Sequence, residues 1–163
     1  MENETQVYMK SADTLFASSA RCYITIGEKR YNFMNMINLE VTFKKNKVTV
    51  PILGRTGKGH RAAGWEGTGK GKMYYNTSVM RRMAEDYKNT GEDTYFDIQI
   101  VNEDKTAKKV GKQEVLIKDC NLDSMILAKF DADGELLDED LEFTFDDFEI
   151  KEGFQELEGM LGK

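Results

Sequence analysis

The sequence predicts a mainly β domain: two packed antiparallel sheets forming a sandwich or barrel, one α-helix inserted between strands, and a long glycine-rich basic arm. Three observations carry that expectation. Short β-branched or aromatic runs alternate apolar and polar residues with period two. A single stretch repeats its apolar residues at three and four. Residues 44–75, apart from a short strand-like run at 47–53 and an extended 68–75, follow neither period.

Residues 1–20 are polar with scattered Val7, Tyr8, Leu15 and Phe16, and read as an N-terminal arm. From residue 21 the period is two. Cys22, Ile24 and Ile26 alternate with Tyr23 and Thr25, then Gly27, Glu28 and Lys29 offer a turn, and Tyr31 and Phe33 resume. Leu39, Val41 and Phe43 alternate with Glu40, Thr42 and Lys44, the pattern of a strand with one buried and one wet face. A short strand over 47–53 belongs at a sheet edge, because Pro51 has no amide hydrogen to donate to a ladder.

Residues 78–90 are the helix. Val79, Met80, Met83, Ala84 and Tyr87 recur on one side, with Arg81, Arg82, Glu85 and Asp86 on the other. Asn76, Thr77 or Ser78 supplies a cap, and Lys88, Asn89 and Gly91 end it. Strands follow over 95–101, 114–120, 124–130 and 141–145, with a charged hairpin loop over 102–112. The domain is expected to span 21–150 and to end in a tail over 151–163.

Residues 44–75 are the most basic stretch. They hold Lys44, Lys45, Lys47, Arg55, Lys58, Arg61, Lys70 and Lys72 against the one acid Glu66, with seven glycines between Gly54 and Gly71. The segment, with its arm proper at 44–67, reads as a limb that docks on something, since Pro51, Ile52, Leu53 and Trp65 give it apolar anchors. Residues 131–149 hold ten acids and no base. Opposite charges this concentrated steer association. They meet either within one chain, as a salt-bridged surface, or between copies, as a heterologous contact that builds rings or filaments.

The 163 residues suit one domain with its own core. A net charge of −6 argues against general DNA binding, which needs surplus cations to neutralise phosphates. Neither a signal sequence nor a membrane-length apolar run is apparent, so synthesis in the cytoplasm is expected. Cys22 and Cys120 lie in strand-like runs and read as small buried thiols. With His60 they are too few for a zinc site; no metal and no cofactor is expected.

Several motifs fail in context. Gly64, Gly69 and Lys70 match the start of a phosphate-binding loop, but Gly71 stands where a hydroxyl must hold magnesium, and no helix follows. Asp131, Asp133 and Glu142 suggest a calcium loop, yet Leu136 occupies its obligatory glycine position, and a tight turn with Gly134 at positive φ explains the residues. The carboxylates over 138–147 form a run in which no two are set apart as acid and base, so no catalytic residue is assigned. Trp65, Tyr74 and Tyr75 beside the basic arm would serve equally as a stacking platform for single-stranded nucleic acid or as protein–protein anchors.

One succession of short motifs is specific. It begins with Lys45-Asn46-Lys47 leading to Gly54-Arg55, then Gly59-His60 and Gly67-Thr68-Gly69. It continues with the helix from Ser78 through Met83 to Tyr87 and Lys88, Tyr95-Phe96 opening a strand, and Phe143-Thr144-Phe145-Asp146-Asp147-Phe148 closing the domain. In this order the chain resembles the tail tube proteins of contractile phage tails, the family of PBSX-like prophages and phage-tail-like bacteriocins. Residues 1–20 and the tail after 150 lie outside the likeness.

The resemblance implies a non-enzymatic subunit that forms hexameric rings, stacked into a hollow tube inside a contractile sheath. It implies that Lys45, Lys47, Arg55, Lys58, His60 and Arg61 contact acidic strand surface on a neighbouring copy, with Trp65 as apolar anchor. Asp138, Glu139, Asp140 and Glu142 are the acidic candidates. Arg81, Arg82, Glu85 and Lys88 are candidates for touching the sheath. Glu40 with Thr42, or Asp97 with Gln99, are candidates to line the bore. The partners implied are the protein itself, the sheath, baseplate and tail-terminating proteins, and DNA passing through without specific binding. The rival readings are the secreted tube of a type VI-like injection system and a monomeric nucleic-acid-binding β-barrel.

Overall fold

The computed structural model describes residues 6–162; residues 1–5 and 163, the outer ends of the expected arm and tail, lie outside the described residues. After a short 3-10 helix (Ser11–Asp13) come β1 (Ala20–Ile26), β2 (Lys29–Asn32), β3 (Met36–Val50), β4 (Gly59–Tyr74) and α1 (Val79–Thr90). Then follow β5 (Phe96–Glu103), β6 (Lys112–Ser124), β7 (Asp138–Phe145) and β8 (Asp147–Glu152).

The expectation of a β fold with one inserted helix holds, with a refinement. The strands form one eight-stranded antiparallel sheet in the order β2-β1-β5-β6-β7-β4-β3, with β8 pairing β6. Strand β6 belongs to both halves: residues up to Lys118 pair β8, and Asn121 to Ser124 pair β7. At the changeover Asp119 adopts φ 55, and its amide donates to Asp97 Oδ1 at 3.1 Å. Asp146 separates β7 from β8 at the same level. The sheet therefore folds over along this line, and its halves enclose a common core.

Ile24, Phe96, Ile98 and Ile117 enter that core from one half, and Met73, Leu141, Phe143 and Phe145 from the other. The rings of Phe96 and Phe143 meet edge-on, with centroids 6.2 Å apart. Helix α1 closes one end with Met80 and Met83. Its N-cap is Ser78, which makes no side-chain cap bond; Thr77 Oγ1 just before it accepts from Val79 N at 3.4 Å, and the helix stops at Gly91, whose left-handed φ of 75 turns its amide onto Tyr87 O.

Three expectations are corrected. The arm, 44–67, is not an irregular limb: residues 44–50 complete β3, so that the short strand expected over 47–53 is its distal part, and 59–67 begin β4, leaving 51–58 as the turn between the strands. The expected strand over 124–130 is absent. Its backbone is diverted, with the Ile126 carbonyl accepting from Arg81 Nη1 at 3.2 Å, and 125–137 becomes a loop. Strand β8, which sequence reasoning did not separate, arises because the chain after Asp146 crosses into the other half and pairs β6. The edge position expected around Pro51 is observed: β3 ends the sheet, and its last residue is Val50.

Candidate assembly surfaces

The glycines of β4 have a packing reason. Register places Leu39, Gly71 and Leu141 in one row, Val41, Gly69 and Phe143 in the next, and Phe43, Gly67 and Phe145 in the third. All three rows face the core. A Cβ at Gly69 would lie 2.1 Å from Phe143 Cζ, and one at Gly67 would lie 2.4 Å from the Phe145 ring. Strand β4 presents bare backbone on its inner face so that the aromatics of β7 can lie across it.

The opposite face of the same strands carries the charge. Lys70 stands between Glu40 and Glu142, and Lys72 between Asn38 and Asp140. Register thus sets two lysines of the basic stretch beside two of the acidic candidates, Asp140 and Glu142, with no ion pair between them among the described residues. The stretch 64–70, weighed as a phosphate loop, runs along β4 in a strand ladder. The 131–134 turn is formed by Asp131, whose carbonyl accepts from Gly134 N and whose Oδ1 accepts from Asp133 N; Gly134 needs no positive φ.

Beyond Phe145 the β3–β4 pair leaves the sheet as a two-stranded ribbon. A bulge marks the departure, where Lys45 pairs Trp65 and Lys47 pairs Ala62, so Ala63 and Gly64 stand opposite Asn46 alone. Gly64 takes φ 96 there, a conformation that only glycine adopts freely. Trp65 anchors the root, stacked on Phe43 at 5.1 Å between centroids and edge-on to Phe148 at 5.8 Å. Its partners are its own chain's aromatics, with 37% of its surface still exposed. Past it, Lys45, Lys47, Arg55, Lys58, His60 and Arg61 are all exposed, and among the described residues none forms an ion pair. At the tip, Ile52 folds back toward Gly59 and Leu53 stands fully in solvent.

Two candidate surface residues lie inside. Glu139 is 3% exposed and accepts from Arg81 Nη1 at 2.6 Å. Arg81 also donates to Thr77 O and covers the Tyr75 ring at 4.3 Å. A buried charge pair of this kind joins α1 to β7 and leaves neither member for a partner protein. Asp138 is held by Lys129 at 3.5 Å. Arg82, Glu85 and Lys88 remain on the exposed side of α1, and Asp140 and Glu142 on the exposed face of β7.

The loop over 125–137 went unrecognised as a surface because its apolar run resembled a strand. Leu127, Phe130 and Leu136 are 70%, 92% and 77% exposed. The signal available was the interleaving of these residues with Asp131, Asp133 and Glu135, which no buried strand would tolerate.

At the end of the fold that holds β5's last residues, Asp104 is buried and accepts from Thr106 Oγ1 at 2.5 Å, Thr106 N at 2.9 Å and Phe16 N at 3.1 Å. The Thr106 hydroxyl, then the two amides, hold its carboxyl below the ordinary value. This ties the N-terminal segment to the body. Glu149, between Lys151 and Lys118 at 3.2 Å each, is lowered by the hydrogen bonds from those ammonium groups. Burial pushes the Cys22 thiol up to about 11 and raises Cys120 further.

Comparison with known proteins agrees with this architecture. The sequence model of a family described as "Phage tail tube protein" matches residues 7–152. The PBSX phage-like element protein XkdM of Bacillus subtilis (strain 168) is 34% identical over 144 residues, covering 88% of this chain and 95% of its own. A chain in the six-fold symmetrised baseplate of the anti-feeding prophage shares the fold with a TM-score of 0.65 at 10% identity, over 87% of this chain and 97% of that one. A chain in the extended sheath-tube complex of the extracellular contractile injection system PVC does so with a TM-score of 0.58 at 9% identity, over 88% and 99%.

Proposed function

The chain belongs to the phage tail tube family and is a tube structural subunit, and from that premise we propose that its copies close into hexameric rings, stacked as a hollow conduit inside a contractile sheath. The observation that carries this reading is the distal β3–β4 ribbon. It is rooted rigidly by Trp65 and Phe43, it projects past the sheet, and its cations have no partner among the described residues. A projection with this charge, whose cations form no ion pair among the described residues, fits a neighbouring copy.

Single copies also leave β3 and β8 as strand edges, each a template for pairing with another chain. Ring closure would cover edges of this kind. Arg82, Glu85 and Lys88 on α1 are offered to the sheath, and baseplate and tail-terminating proteins would meet the ends of the stack. DNA would pass through the bore unbound, and assembly would take place in the bacterial cytoplasm before release of the particle.

Electron microscopy of the purified protein at low and moderate salt tests the reading. Rings or tubes are expected, and deletion of residues 55–61 is expected to abolish normal cylinders. Monomers at every salt concentration, or salt-sensitive oligonucleotide binding by a monomer, would overturn it in favour of a nucleic-acid-binding barrel.

A further inference from the structure

Register sets Ala20, Glu103, Lys112 and Glu152 at one end of the half of the sheet that holds β1, β5, β6 and β8, and the segments outside β1 and β8 cross over that end. Before β1, Phe16 N donates to Asp104 Oδ2 at 3.1 Å, and Ser19 O accepts from Glu103 N at 3.2 Å. After β8, Gln155 N donates to Val110 O at 2.8 Å. Both segments thus grip the 104–111 loop, whose Ala107 and Val110 are buried apart from the main core. The segments also touch each other: Gly159, at φ 84, brings its backbone so near Val7 that a Cβ there would lie 2.5 Å from Val7 Cγ1.

We propose that residues 6–19, 104–111 and 153–162 form a latch, closed in the lone subunit, that opens as one unit before copies pack onto this end of the sheet. This inference rests on the tube reading above and adds to it a control on assembly.

The closed latch is weakly held. Its bonds come from backbone amides, while Val7, Tyr8, Met9, Met160 and Leu161 each keep between 64% and 75% of their surface in solvent. A groove of about 530 Å³ remains between the two segments, lined by Tyr8, Lys10, Lys109 and Leu157 among others, so away from Val7 and Gly159 they stand apart. Segments with few buried apolar contacts and solvent-exposed backbone bonds open far more readily than the whole domain unfolds. The grip on the loop is shared. Release on one side uncovers Ala107 and Val110 and so weakens the hold of the other, which makes opening a single step. Open, the latch frees the apolar side chains of both ends together with those two, a surface that another copy can cover. Closed, it lies across the strand ends that such a copy would meet.

A reversible lock tests this. A Cβ at residue 159 would lie 3.3 Å from Val7 Cβ, close to the spacing of about 3.5–4.5 Å across a disulfide. Oxidised V7C/G159C should remain a lone subunit under conditions in which the reduced form builds tubes in the electron microscope; native Cys22 is half-buried and Cys120 buried. Residue 159 has the same positive φ in both redox forms, so its strain cancels from the comparison. Tubes from the oxidised protein, or no disulfide within the dilute subunit, overturn the latch. Hydrogen exchange of the dilute subunit gives a reading that needs no assembly. G159A should speed exchange of the Phe16 and Gln155 amides at least tenfold and by the same factor, whereas G162A, with nothing within 4 Å of its Cβ, should change neither. Acceleration of Gln155 alone, or of neither amide, overturns opening as one unit, and this result decides if the reduced double variant fails to assemble. Wild-type protein that forms neither rings nor tubes refutes the tube reading itself, whereas the exchange result tests the latch independently of it.

Discussion

Replacing Gly69 by alanine separates the packed strand seen here from the flexible limb that composition suggests. In a limb the change is neutral or mildly stabilising, because it restricts the unfolded chain by about 0.4–1 kcal/mol. In β4 the new methyl would lie 2.1 Å from Phe143 Cζ. Carbon atoms prefer a separation near 3.6 Å, so the ring must retreat by roughly 1.5 Å. Phe143 is 0% exposed and wedged against Phe96, so it has little space to enter. Overpacking costs about 1–3 kcal/mol, and expelling the ring altogether sets a ceiling of about 3–5 kcal/mol. After the entropic offset a net loss of about 2 kcal/mol is expected, a fall in Tm of roughly 4–8 °C for a chain of this size.

Urea unfolding of the dilute subunit, followed by the fluorescence of its single tryptophan, Trp65, and by circular dichroism, measures the effect. Gly57→Ala is the control, since nothing lies within 4 Å of a Cβ there; it should change stability by less than about 0.5 kcal/mol. G69A combined with Phe143→Leu should be less destabilised than the sum of the single changes, with a coupling above about 1 kcal/mol. A G69A variant as stable as the parent would refute the packing account of the glycines.

Three further outcomes follow from particular side chains. Arg81→Met strands the 3%-exposed carboxylate of Glu139 and should cost about 3 kcal/mol in urea unfolding, with part recovered by adding Glu139→Leu. Asp104 has its folded pKa lowered from 3.8, so its contribution is full above that value and is lost as pH falls through the lower folded one. Acidification below about 3.8 should therefore release the Phe16 amide to hydrogen exchange, and Asp104→Asn should show that protection already lost at neutral pH. With burial holding Cys22 near 11 and Cys120 higher still, both thiols should react with a disulfide reagent at pH 8 at least tenfold more slowly in the folded protein than in denaturant.

Local pattern alone determined much of this molecule. Alternation located β1, β2, β5 and β7, because a half-buried strand exposes every second side chain and a polar residue on the wrong face is costly. The period near 3.6 placed α1 within a residue of its observed bounds, since its caps and its apolar stripe are both local. The succession of motifs from Lys45 to Phe148 also pointed to the tail tube family. What stayed hidden depends on residues distant in the chain. Gly67 and Gly69 read as flexibility until Phe145 and Phe143 are seen lying over them, and Gly71 until Met36 and Leu39 are seen crowding it. Glu139 read as one more surface acid until the fold brought Arg81 to it, 58 residues away. Whether the basic and acidic blocks meet within one chain was likewise a matter of strand register, which sets Lys70 beside Glu142 yet leaves Arg55 and Lys58 without an ion pair among the described residues. A glycine or a charge has no side-chain period of its own to betray its role, so its meaning is set by the neighbour that tertiary structure supplies.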